Sequence, residues 1–156
     1  MINIDIPSYK KLDIEYIIFD YNGTLGFDGI VEEHTKSLLN KLSEKVKLYV
    51  LTADTNGNAR KNLEGCNVEL KIISKENGAQ DKLKTIKELG TSKCIAIGNG
   101  YNDRLMLKHA ELSICISSNE GCNVQAMSNS DIVINDINRC IELFIHTNRL
   151  IATLRG

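Results

Sequence analysis

The chain has little that would divide it. It holds a single proline, Pro7, and no Pro/Gly-rich linker, internal repeat or low-complexity tract. Its 156 residues are one domain's worth, long enough to bury a real core, so a single domain over 1–156 is expected. A strong charge of one sign is also missing. The net charge is −1, which argues against a polyelectrolyte partner such as nucleic acid and against an anionic membrane surface. No apolar run approaches the length needed to span a bilayer, and the opening "MINIDIPSYKK" lacks the apolar stretch of a signal peptide. No C-x-x-C pair occurs among the five cysteines, Cys66, Cys94, Cys115, Cys122 and Cys140. An odd number, several in apolar runs, reads as buried free thiols in a reducing cytoplasm rather than as a disulfide frame or zinc site. The histidines, His34, His109 and His146, lie far apart on helical stretches and read as surface or packing residues.

What is present is an alternation of short apolar runs with longer amphipathic ones. Strands are expected at Ile14–Phe19, Val46–Leu51, Val68–Ile73, Cys94–Ile97, Leu112–Ile116 and Ile132–Ile134. These runs are rich in Ile and Val and hardly alternate, as parallel strands buried on both faces do. Helical faces recur between them: Leu38, Leu39 and Leu42; Leu83, Ile86 and Leu89, with Gly90 as a C-cap; Leu105 and Met106 after Asn102. Ile137, Ile141, Phe144, Ile145 and Leu150 predict one long C-terminal helix, and the polar 117–130 stretch a further helix. The expected fold class is α/β: a three-layer, open, parallel, Rossmann-type sheet with helices on both faces. Ligands of such sheets bind beyond the carboxyl ends of the strands.

The residues at those ends carry chemistry. The first buried strand ends at Asp20, followed by "YNGTL"; the second ends at Thr52, followed by Ala53-Asp54; the fourth runs into "GNGYND", Gly98 to Asp103. Lys82 lies in the first turns of a helix between the third and fourth. Taken singly, each has a plain structural use as turn former, cap or solvated lysine. Together they bring a carboxylate, a hydroxyl, an ammonium and a second carboxylate to one sheet edge. An ionised aspartate attacks phosphorus without an activating base. Turn N–H groups, a hydroxyl and a lysine hold phosphoryl oxygens, and Asp103 offers a hard oxygen to Mg²⁺.

"DYNGTL" resembles the first motif of the haloacid dehalogenase (HAD) superfamily, an Asp nucleophile followed by x-[D/T]-G-T-[L/V]. Thr52 is similar to its second motif, Lys82 to its third and "GNGYND" to its fourth. The likeness covers nearly the whole chain. Within the superfamily the motifs are most similar to the phosphorylation domain of P-type ATPases and to the small capless proteins related to it. The resemblance implies a Mg²⁺-dependent phosphotransfer site. Asp20 would form the aspartyl phosphate, with Asn22 at the acid/base position. Tyr21, Thr52, Ala53, Lys82 and Asn102 would bind the phosphoryl group. Asp20, the carbonyl of Asn22, Asn99 and Asp103 would serve the metal.

Two departures from the pattern matter. Asn22 stands where phosphatases of the superfamily carry an aspartate that protonates the leaving group and then activates water. An amide moves no proton, so roughly 10²–10⁴-fold of rate is expected to be missing from one or both half-reactions. Asn99 stands where most members have a metal-ligating aspartate, which weakens Mg²⁺ binding and lessens repulsion of an anionic substrate. The short stretch from Gly26 to Leu51 leaves no room for a nucleotide-binding or cap domain, which argues against ATP-driven transport. In its place "GTLGFDGIV" predicts a small flap hairpin near 25–31, with Asp28-Gly29 as a two-residue turn. The expected function is a low-turnover phosphatase acting on a phosphorylated small molecule or a phosphoprotein, in a possible homo-oligomer that lends a lid. The alternative is a non-catalytic phosphate-binding or regulatory module with a degenerate site.

Overall fold

The computed structural model describes residues 1–54 and 57–156. Its centre is a parallel sheet of six strands: β3 (Tyr16–Asp20), β4 (Lys47–Thr52), β5 (Glu69–Ile72), β6 (Cys94–Gly98), β7 (Leu112–Ile116) and β8 (Ile132–Ile134). The spatial order is β5-β4-β3-β6-β7-β8. The four central strands are nearly continuous apolar runs because both of their faces are covered. Along β3 the side chains alternate between two cores: Ile17 and Phe19 join one, Ile18 the other.

The first core lies under α1 (Glu33–Ser43), α6 (Ile137–Ile145) and α7 (Thr147–Leu154), through residues such as Leu39, Leu42, Ile141, Phe144 and Leu150. The second lies under α3 (Gly78–Leu89), α4 (Arg104–His109) and the short α5 (Val124–Ser128), through Ile86, Met106, Leu107 and Ala126. A further short helix, α2 (Asn58–Asn62), follows β4. The architecture is the expected α/β one, three layers with helices on both faces and no cap domain among the described residues.

Three details differ from the sequence expectation. The N-terminal stretch forms an antiparallel hairpin, β1 (Ile2–Ile6) and β2 (Lys10–Ile14), in which Ile2 pairs with Ile14 and Ile6 with Lys10. Ile14 therefore closes this hairpin instead of opening the first parallel strand. The period-two pattern Ile2, Ile4, Ile6, then Leu12, Ile14 puts every apolar side chain on one face, and that face is buried. The single long C-terminal helix is two helices that meet at His146, whose backbone (φ −115, ψ 73) leaves the helical region. Leu150 follows Phe144 by six residues, about 240° further round one continuous helix, which would aim it off the apolar face. The break restores Leu150 to the core, where it is fully buried. In the 117–130 stretch only Val124–Ser128 is helical, capped by the Asn123 side chain on the N–H groups of Gln125 and Ala126.

Candidate active site

The strand order reverses between β3 and β6. The chain leaves β3 for β4 on one side, and leaves β6 for β7 on the other. The crevice at such a reversal is where open α/β sheets place ligands. Asp20 ends β3 on one side of it, and the turn carrying Asn99 to Asp103 follows β6 on the other.

Lys82 joins the two. It lies one turn into α3, is wholly buried, and places Nζ 2.6 Å from Asp20 Oδ1 and 2.6 Å from Asp103 Oδ1. The second oxygen of Asp103 accepts from the N–H groups of Asn99 (3.0 Å) and Gly100 (2.8 Å). Asp103 is thus fully engaged from within the protein, and it braces both Lys82 and the turn. Gly98 makes this possible: a Cβ there would stand 2.5 Å from Asp103 Cγ. Charges this deep are tolerated only when paired and hydrogen-bonded. Burial and then the charge of Asp103 push the Asp20 carboxyl up to about 7, against the opposing pull of Lys82 and the Thr24 hydroxyl. Burial alone would lower Lys82. The charges of Asp20 and Asp103 outweigh it and hold the ammonium above its usual range.

Thr24 was not among the residues singled out by sequence. Its Oγ1 lies 3.2 Å from both Asp20 Oδ2 and Asn99 Oδ1. One hydroxyl proton serves only one of them, so two oxygens face one small space. The "T" of "DYNGTL" was the available signal. Asn99 is held in place by donating to the Gly121 carbonyl (3.2 Å), a link from the loop after β7 that no sequence motif announced. The tight turn after Asp20 needs Gly23, whose φ of +79 favours glycine and whose missing Cβ leaves room for the Asn99 side chain.

The remaining expected residues are distributed around this centre. Thr52 ends β4 one residue beyond the register partner of Asp20, since Asp20 pairs with Leu51. It is 2% exposed, and its Oγ1 has no hydrogen-bond partner among the described residues. Asn102, exposed in the 3-10 turn Tyr101–Asp103, lies against the start of α3: Nδ2 is 3.7 Å from where a Cβ on Gly78 would be. Tyr21 is buried, and its hydroxyl donates to the Gly29 carbonyl (2.9 Å). Its ring therefore secures the turn at Asp28-Gly29, where Phe27 and Ile30 exchange two 3.0 Å backbone hydrogen bonds and both turn residues have positive φ. Asn22 and Ala53 line an open recess of about 360 Å³ together with Asp54, Asn58 and Lys75. A larger recess of about 450 Å³, bordered by Met1, Lys45, Lys47 and Asn67, lies at the opposite ends of the strands and away from these groups.

A parallel sheet whose reversal point holds a lysine-braced aspartate marks a class built for chemistry on an anionic substrate. The chain belongs to the haloacid dehalogenase-like hydrolases, whose family profile matches residues 10–139. An uncharacterized protein of Methanocaldococcus jannaschii, MJ0073, is 42% identical over 92 residues, which cover 55% of this chain and 99% of that one. The fold is similar to that of 3-deoxy-D-manno-octulosonate 8-phosphate phosphatase from Moraxella catarrhalis, solved with magnesium, phosphate and KDO. The TM-score is 0.72 at 18% identity, over 92% of this chain and 94% of that one. The cobalt-bound phosphatase YrbI from Haemophilus influenzae gives a TM-score of 0.73 at 13% identity, over the same shares of the two chains.

Proposed function

We propose that this chain is a Mg²⁺-dependent phosphatase that works through an aspartyl phosphate on Asp20. The observation that carries this reading is the unpartnered, buried Thr52 hydroxyl at the strand end beside the Lys82-braced carboxylate. A buried hydroxyl without a partner costs free energy, and a phosphoryl oxygen would satisfy it. The solved phosphatases of the same fold, one with magnesium and phosphate, support the assignment.

In this mechanism Lys82 orients Asp20 through Oδ1, the attacking oxygen, and Oδ2, which faces Thr24 and Asn99, is left for the metal. Thr52 and the exposed amide of Asn102 bind phosphoryl oxygens, and the turn N–H groups after Asp20 add further donors. Asp103 acts from behind, keeping Lys82 charged and aimed. The oxygens of Asp20 and Asn99 that converge on Thr24 form a hard-donor set with few carboxylates. That suits Mg²⁺, which keeps most of its waters. Asp20, the Asn22 carbonyl and Asn99 would hold the ion, with Asp103 fixing the turn that carries Asn99. When bound, Mg²⁺ supplies charge neutralisation of the phosphoryl oxygens.

Asn22 sets the rate. With no proton to give or take, it slows both leaving-group departure and hydrolysis of the aspartyl phosphate. Asn22→Asp is expected to raise the alkyl-to-aryl ratio of kcat by roughly 10²-fold and to shorten the phosphoenzyme lifetime, because alkoxides need a proton and phenolates largely do not. Paired kinetics on an alkyl and an aryl phosphate check this; an unmoved ratio removes position 22 from the acid/base role. The decisive experiment for the activity itself is a Mg²⁺ screen over phosphorylated metabolites, with Asp20→Asn as the blank. Asn22 also favours a second reading, a phosphate-binding regulatory module, which the same screen separates by showing binding without phosphate release.

Among the described residues the site has no lid beyond the small hairpin, whose Ile30 is 62% exposed. We propose that a second copy packs against this hairpin, covering Ile30 and excluding water from Asp20. Light scattering is expected to show a dimer or tetramer, and a monomer at working concentration overturns this.

A further inference from the structure

Among the described residues, the recess beside Asn22 holds a cation but no poised acid. Its lining includes Tyr21, Asp54 and Lys75 as well as Asn22. The Tyr21 hydroxyl is spent on the Gly29 carbonyl at 2.9 Å. Asp54 Oδ2 accepts from the Ala59 N–H at 2.7 Å, which ties this carboxylate to the first turn of α2. Lys75 is exposed at the rim, the one cationic side chain among the described lining residues.

We propose that the substrates of this site are acyl phosphates, the mixed anhydrides of a carboxylic acid with phosphoric acid. The inference rests on the phosphatase reading above and narrows it. An alkyl phosphate expels an alkoxide, whose conjugate acid has a pKa of about 16, so it needs a proton at the moment of departure. An acyl phosphate expels a carboxylate, whose conjugate acid has a pKa of about 4, and needs none. A lone pair on Asp20 Oδ1 forms the new O–P bond. The bond from phosphorus to the acyl oxygen breaks, and its electron pair stays on that oxygen as a carboxylate. No proton moves. The phosphoryl group passes from one mixed anhydride to another, so the step is close to balanced in free energy, whereas the same transfer from an alkyl phosphate runs uphill. The departing anion emerges into the recess toward Lys75. Hydrolysis then adds water's hydroxyl to phosphorus, restores Asp20 and releases phosphate, the extra proton passing to solvent. With Asn22 unable to take that proton, this second step is the slower one.

The test uses the full chain with Mg²⁺ and compares acetyl phosphate with glycerol 3-phosphate, subtracting the rate of Asp20→Asn. The expected kcat/KM for acetyl phosphate is higher by roughly 10³-fold, within the range a missing general acid forfeits. A burst of acetate equal to the enzyme sites and a phosphoryl adduct on Asp20 in the intact mass are expected alongside it. Lys75→Ala is expected to raise KM for acetyl phosphate several-fold more than for an aryl phosphate. Equal kcat/KM for the two phosphates overturns the acyl phosphate assignment and leaves the phosphatase reading standing. No phosphate release from either, with no adduct on Asp20, overturns both.

Discussion

Lys82→Met is expected to cost the fold about 3–5 kcal/mol at neutral pH, the range for removing one partner of a buried ion pair. Lys82 is fully buried and is the only cation within ion-pairing distance of both Asp20 and Asp103 among the described residues. Methionine fills much of the same volume, so the loss reports charge and not a cavity. Two carboxylates would then share a dry crevice with only N–H and hydroxyl donors. Their mutual repulsion would favour protonation of Asp20, so the variant is expected to regain stability as pH falls. Adding Asp103→Asn to Lys82→Met is expected to recover part of the loss, since one buried charge then remains instead of two. Urea midpoints at several pH values measure all of this. A loss under about 1 kcal/mol, typical of solvated pairs, means that water reaches the triad.

Asp20→Asn is expected to remove activity by on the order of 10⁴-fold or more, the scale on which loss of a reacting group acts. The same change is expected to leave the fold as stable as before, or more so, in a chelator. The carboxyl of Asp20 titrates near 7 in the folded protein, against an ordinary value of 3.8. A carboxyl raised in this way stabilises the fold while protonated, and that contribution is lost as pH rises from about 4 through about 7. At pH 8 the charge is a burden, and asparagine lifts it while Lys82 keeps Asp103 as its partner. Thermal melts in EDTA at pH 8 beside phosphate release with Mg²⁺ give both readouts. An inactive variant that also melts well below the parent would show only that Asp20 is structural.

The sheet was legible because strands covered on both faces must be apolar throughout, and such runs stand out in β3, β4, β6 and β7. The strand-end rule then located Asp20, Thr52 and the turn before Asp103 without reference to three dimensions. The β1–β2 hairpin was not legible from apolar runs, because its Ile and Leu residues alternate with polar ones and never form a run. The break at His146 was hidden by an apolar pattern that looks helical on both sides of it. In the site, Lys82 was legible only by position. Its simultaneous contact with two carboxylates depends on how α3 packs against the turn after β6. Thr24 and the Gly121 link to Asn99 are contacts of one short polar group with partners far along the chain, which no local spacing encodes.

The two ends of the sequence depend on each other. The Ile2, Ile4 and Ile6 face of β1 is buried in the core that Leu150 of α7 completes, and the Gly156 N–H donates to the Pro7 carbonyl at 3.2 Å. During synthesis the isoleucine-rich strand leaves the ribosome long before its covering helix. Until then an apolar ribbon with unpaired edges stays open to other nascent chains. Production of this protein is therefore expected to be sensitive to translation speed and chaperone supply, and truncation of α7 to send it into aggregates.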